Sequence, residues 1–306
     1  MADVQTHTAR LIALFISCVL YGILLTTFVP CLRWLLFSAS QRFQIKPRHE
    51  IKYPILAGTI LMFFVSSFSA VISMQDVMDA FIYYQGPGGA LEFYGARNDT
   101  LNHGWTHWMP AVEDSVQVVI GDALLIYRCY VLYGRSWRSI VVPSVAWLGL
   151  LVTSILSSYR EITLKPGQKL NDPSVLPILS AALLFTFATS VITTYLIIRR
   201  LLMIEFIPMI RGAIRPHILT RIATIFFETG LIYSLSVVLS LGIYLTRSNL
   251  EYVVSLAMIH IIPITCNLLL IRVEGVSRFK QPEREPQNPG LEHPEAKFNP
   301  DAADEV

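Results

Sequence analysis

Charged side chains are scarce in this sequence. Asp, Glu, Lys and Arg make up 15% of 306 residues, where a water-soluble domain carries about 25%. With so few charges the chain cannot cover a water-facing surface, and a mean hydropathy of +0.52 places it in lipid instead. Net charge is also lacking: +2 excludes a nucleic-acid partner. The four cysteines (Cys18, Cys31, Cys129 and Cys266) lie in apolar stretches without CxxC spacing, so they read as small buried hydrophobes. None of the six lysines falls inside an apolar run, which excludes a retinal Schiff base. A single histidine within a run, His260, argues against a bis-histidine haem. No phosphate-cradling glycine loop or GxSxG elbow is present, and no cofactor is implied.

Long apolar runs are what the sequence does have. Seven segments, at 10–37, 53–74, 109–133, 140–159, 176–198, 222–245 and 250–271, reach or exceed the ~20 residues that a helix needs to cross a hydrocarbon core. The spacing predicts an all-α polytopic membrane protein, with a seven-helix domain over 1–273 and a tail over 274–306. The leader through residue 10 carries one acid and one base, and the apolar run is about twice a signal core, so a retained first helix is expected. The tail is charged, rich in proline and poor in large apolar residues, a disordered composition.

Basic residues set the expected orientation, because cytosolic loops are enriched in them. Sixteen fall on the side of the 38–53, 134–139 and 199–221 loops and the tail, and six on the other side, including Arg10, Arg97 and Arg160. This puts the N-terminus outside and the tail in the cytosol. The sequon Asn98-Asp99-Thr100 lies in the long outer loop 75–108 and agrees, marking Asn98 as a glycosylation site. That loop should continue the second helix through Tyr84 and break at Gln85-Gly86-Pro87-Gly88-Gly89.

Ionisable groups at membrane depth face the bundle interior. The candidate intramembrane network comprises Asp114, Asp122, Arg128, Glu228, His260 and Asn267. In the third segment, Asp114, Gln117, Gly121 and Arg128 share one stripe, and Ser115, Asp122 and Cys129 an adjacent one. Two polar stripes make that helix central. Glu113, just after Pro110, reads as a solvated cap. Arg128 and Glu228 are expected at equal depth from the inner face and form a candidate pair; the alternative is that Arg128 snorkels outward and Glu228 stands neutral. Asp122 and His260 are a second candidate pair, against a purely structural role for His260. Pro263 should open a backbone bond and act as a hinge. His103 and His107 at i,i+4 spacing are weak metal candidates, and two unliganded loop histidines are the plainer reading.

The stretch GDALLIYRCYVLYGRSWRSIVVPSVAW (121–147), with ETGLIYS (228–234) and IIPITCNLLLIRV (261–273), resembles a large family of fungal seven-helix integral membrane proteins of receptor-like topology. The resemblance spans most of the membrane region and implies that layout, with no established activity. Tyr127-Arg128-Cys129-Tyr130 is also similar to the arginine-tyrosine element of G-protein-coupled receptors, without its preceding acid. Together these features point to a ligand-sensing, receptor-like protein of the plasma membrane rather than an internal one. Its partners would be the bilayer, a small ligand and a cytosolic signalling protein. The alternatives are a small-solute transporter or channel and, on HxxxH alone, a membrane-embedded lipid enzyme. With tags at residues 2 and 300, protease protection in sealed vesicles should report opposite sides; both tags on one side would contradict the helix count.

Overall fold

The structure is a computed structural model that describes residues 5–37, 52–96, 109–163, 176–210, 217–246 and 248–278. Every regular element among them is helical. In chain order they are α1 (Thr6–Leu36), α2 (Tyr53–Met78), α3 (Gly89–Ala96), α4 (Met109–Leu132), α5 (Val141–Thr163), α6 (Leu176–Ile210), α7 (His217–Leu245) and α8 (Glu251–Arg278). All but α3 are long and apolar enough to cross a membrane, so the chain is a multi-pass membrane protein. The loop and tail calls at Asn98, His103, His107 and 279–306 lie outside the described residues.

Several boundaries follow from local chemistry. Pro54 sits in the first turn of α2, where no N–H is needed. A π-helical turn over Asp79–Tyr83 prolongs α2 to the expected break. After that break the chain turns helical again as α3, which the glycine cluster had hidden. The Glu92 side chain explains the restart, accepting a bond from the Gly88 N–H (2.8 Å) at the new helix start. Gly134, at φ 67°, ends α4, and the Arg135 N–H reaches back to the Tyr130 carbonyl (3.0 Å).

The bundle is a closed ring, α1–α2–α4–α5–α6–α7–α8, in which α4 also touches α6 and α8 across the middle. The two polar stripes of α4 are thus accounted for. Helix α8 is the most enclosed span, with 56% of its core window buried; it packs on α1, α2, α4 and α7. Polarity is inverted relative to a soluble protein. Phe15, Phe64 and Leu235 are each at least 64% exposed, while Ser17, Ser66, Gln117, Asp122 and His260 are fully enclosed. Such an apolar exterior is stable only in lipid. Cys18 belongs to it, contrary to the expectation that all four cysteines are buried.

Small residues set the closest approaches, as expected where lipid removes the hydrophobic drive between helices. A Cβ on Gly121 of α4 would stand 2.7 Å from the Ile262 side chain of α8, and one on Gly58 of α2 would stand 2.8 Å from Leu124. Glycine at both places lets α2, α4 and α8 meet.

Candidate functional site

Proline at 263 has no N–H, so the carbonyl of Ile259, four residues earlier in α8, loses its helical donor. In a bilayer no water replaces it. Two side chains do. The Ser66 hydroxyl of α2 and the Gln117 amide of α4 each donate to the Ile259 oxygen at 3.1 Å. Gln117 Nε2 also lies 3.3 Å from Ser66 Oγ and 3.4 Å from the Met62 carbonyl. The helix runs unbroken through Pro263. The expected opening therefore exists, and its freed carbonyl is held by both neighbouring helices.

One turn towards the tail-side end of α4, Asp122 is fully enclosed and accepts a hydrogen bond from the Tyr233 hydroxyl of α7 (3.1 Å). Its other oxygen has no partner. Beside it lies a cleft between α4, α6, α7 and α8, lined by Gly121, Leu125, Thr194, Tyr233, Thr265 and Cys266 among others. Thr229 and Thr265 line it too, but their hydroxyls donate to the carbonyls of Ile225 and Ile262 in their own helices (both 2.8 Å). They show the cleft their methyl groups and oxygen lone pairs. No charged side chain lines it.

His260 does not join Asp122. Its ring turns to α1, where Nε2 lies 3.5 Å from Ser17 Oγ, and Nδ1 lies 3.1 Å from the Leu256 carbonyl. The edge of Tyr21 packs against it. The cause is helical phase: Ile262 faces Gly121 of α4, and residue 260 is 200° away around α8.

The expected Arg128–Glu228 pair is also absent. Glu228 binds Arg272 of α8 at 2.8 Å, and both side chains are about half exposed. Helix α7 starts at His217, five residues before the expected span, so Glu228 lies more than three turns from its start. Helix α8 runs on to Arg278, which brings Arg272 to the level of Glu228. Arg128 instead keeps its three guanidinium nitrogens enclosed without a hydrogen-bond partner. Asn267 is 1% exposed, and both its amide atoms are unpartnered. Asp114 has one enclosed oxygen without a partner, and Glu113, read as a solvated cap, is buried. The six network residues thus form separate sites instead of one chain of contacts. Among the described residues no group of His, Cys, Asp and Glu is arranged to hold a metal.

A further cluster went unnoticed in the sequence. Arg10 of α1 pairs with Asp76 of α2 at 3.1 Å, and Tyr94 of α3 donates to the same carboxylate oxygen (3.2 Å). The guanidinium also lies over the rings of Tyr94 (5.3 Å) and Tyr252 of α8 (4.3 Å). Four helices are fastened at this end. Arg10 counts among the outer basic residues in the sequence, and Asp76 has no reading of its own there; the available signal was that both stand near the expected outer ends of their helices.

The two ion pairs should respond differently to mutation. Asp76 is 8% exposed in its side chain, so Arg10→Gln strands an enclosed carboxylate and should cost about 2–4 kcal/mol. Glu228→Gln should cost under about 1 kcal/mol. Reversible unfolding in mixed micelles measures both, and equal costs would contradict the assignment. Comparison with protein-family models, curated proteins and solved structures gives no match.

Proposed function

We propose that this chain is a receptor-like membrane protein that senses a small, uncharged, largely apolar ligand in the cleft between α4, α6, α7 and α8. The observation that carries the reading is the cleft lining: threonine, glycine and apolar residues, with no charge among them. A charged ligand would find no counterion there. A neutral amphiphile would find apolar contact, with threonine oxygens to accept one or two hydrogen bonds.

The cleft touches four helices, so occupancy favours whichever packing of α6 and α7 against α4 and α8 fits the ligand best. Differential affinity of this kind shifts a two-state equilibrium. Tyr233 connects the ligand to the core, since it lines the cleft and holds Asp122. The rest of the proposal follows the resemblance and the charge pattern: a fungal family of receptor-like topology, a glycosylated outer loop at Asn98, a cytosolic tail that meets a signalling partner, and the plasma membrane. A transporter is less well supported. Its binding sites are commonly built from interrupted helices, whereas all seven spans here run continuously.

A photoactivatable long-chain alcohol tests this reading in nanodiscs. Labelling of α6–α8 peptides should saturate, yield to excess neutral amphiphile, and fall at least about tenfold in Thr194→Trp, which plugs the cleft. Labelling that does not saturate and survives Thr194→Trp would contradict the site. Solute uptake driven by a pH gradient in liposomes, and lost in Asp122→Asn, would replace the receptor by a transporter.

A further inference from the structure

Arg128 presents a charge that the bundle does not balance. A guanidinium stays protonated under any condition in which the protein folds. Its Nε and both terminal nitrogens are enclosed and make no hydrogen bond, although its stem is partly exposed. Snorkelling, which brings a cation to water, is therefore not what this side chain does. The two nearest candidates for a counterion are engaged elsewhere. Asp122, six residues earlier in α4, faces Tyr233 of α7, and Glu228 is bound by Arg272.

Among the described residues, the electrostatic neighbours of Arg128 are thiols and include no anion. Cys31 of α1 and Cys266 of α8 are within electrostatic reach of Arg128, and both are free thiols. Helical side chains lean towards the N-terminus, so the guanidinium reaches back from position 128 towards the level of Cys266. Asn267 stands about 140° around α8 from Ile262, on the face of His260, and is not turned to α4. Helices α4 and α8 run parallel there, in register through Gly121 and Ile262. A fixed positive charge with five N–H donors, shut away from water, is an anion site in both charge and hydrogen bonding.

We infer that the enclosed Arg128 guanidinium, with the Cys31 and Cys266 thiols near it, binds a small monovalent inorganic anion of the halide class. One positive charge sets the valence, because a dianion would leave a net negative charge buried. Enclosure sets the size, because a phosphate headgroup still attached to its lipid cannot enter. The site adjoins the cleft, with Cys266 common to both, but the unbalanced charge of Arg128 does not depend on the ligand proposed there.

Thermal unfolding of the full chain in phosphatidylcholine nanodiscs tests the site, with chloride replacing gluconate at constant ionic strength. The wild-type midpoint should rise saturably, by about 3 °C or more, as expected for a ligand bound only by the folded state. Arg128→Gln should abolish the rise, and its midpoint in gluconate should equal or exceed that of the wild type, since no stranded charge remains. A wild-type midpoint indifferent to chloride overturns the site whether or not the variant folds. So does an equal rise in wild type and Arg128→Gln, which would reflect a general salt effect.

Discussion

A backbone carbonyl deprived of its donor inside a membrane has to be satisfied by something, and in this bundle that carbonyl belongs to Ile259. Pro263 creates the deficit, and Ser66 and Gln117 meet it from two different helices. The bond fixes more than one oxygen. It sets α2, α4 and α8 at a common level, places Gly121 against Ile262, and turns His260 away to α1. The Asp122–Tyr233 contact and the near end of the cleft begin about one turn from this junction.

The remaining polar contacts hold the ends of the bundle. At the N-terminal end, Arg10 joins α1, α2, α3 and α8 through one carboxylate and two rings. At the tail-side end, Glu228 and Arg272 join α7 to α8. Between the two, lipid-facing apolar side chains contribute little to helix association, because lipid tails are as apolar as they are. Specificity comes from glycine-sized gaps and from buried hydrogen bonds. The cleft is a place where α4, α6, α7 and α8 leave room, and in the proposed account a ligand supplies the missing contacts.

Much of the fold was legible because a spanning helix is written in contiguous residues. Apolar length gave all seven spans, and Pro263 declared its own broken bond. Helix α3 was hidden because its start depends on the Glu92 side chain closing on Gly88, while the glycines around it argue for a turn. Pairings were harder to read because they depend on where a helix truly begins and on its phase. Glu228 was taken as Arg128's partner from the edge of the apolar run. The real helix starts at His217, which moves Glu228 to the level of Arg272. Likewise, depth alone joined Asp122 to His260, and the rotation of α8 separates them. Arg10 entered only the orientation count because it stands at the end of an apolar run, and Asp76, just past the end of another, had no reading of its own.

The central claim is that the side chains of Ser66 and Gln117 substitute for the helical donor that Pro263 lacks. Unfolding in mixed micelles, compared for Ser66→Ala with Gln117→Leu in the Pro263 and Pro263→Ala backgrounds, measures that directly. Alanine at 263 restores an N–H to the Ile259 carbonyl. Removing the two side-chain donors should therefore cost about 1–3 kcal/mol more with proline at 263 than with alanine. Equal costs in the two backgrounds, within about 0.5 kcal/mol, would contradict the account.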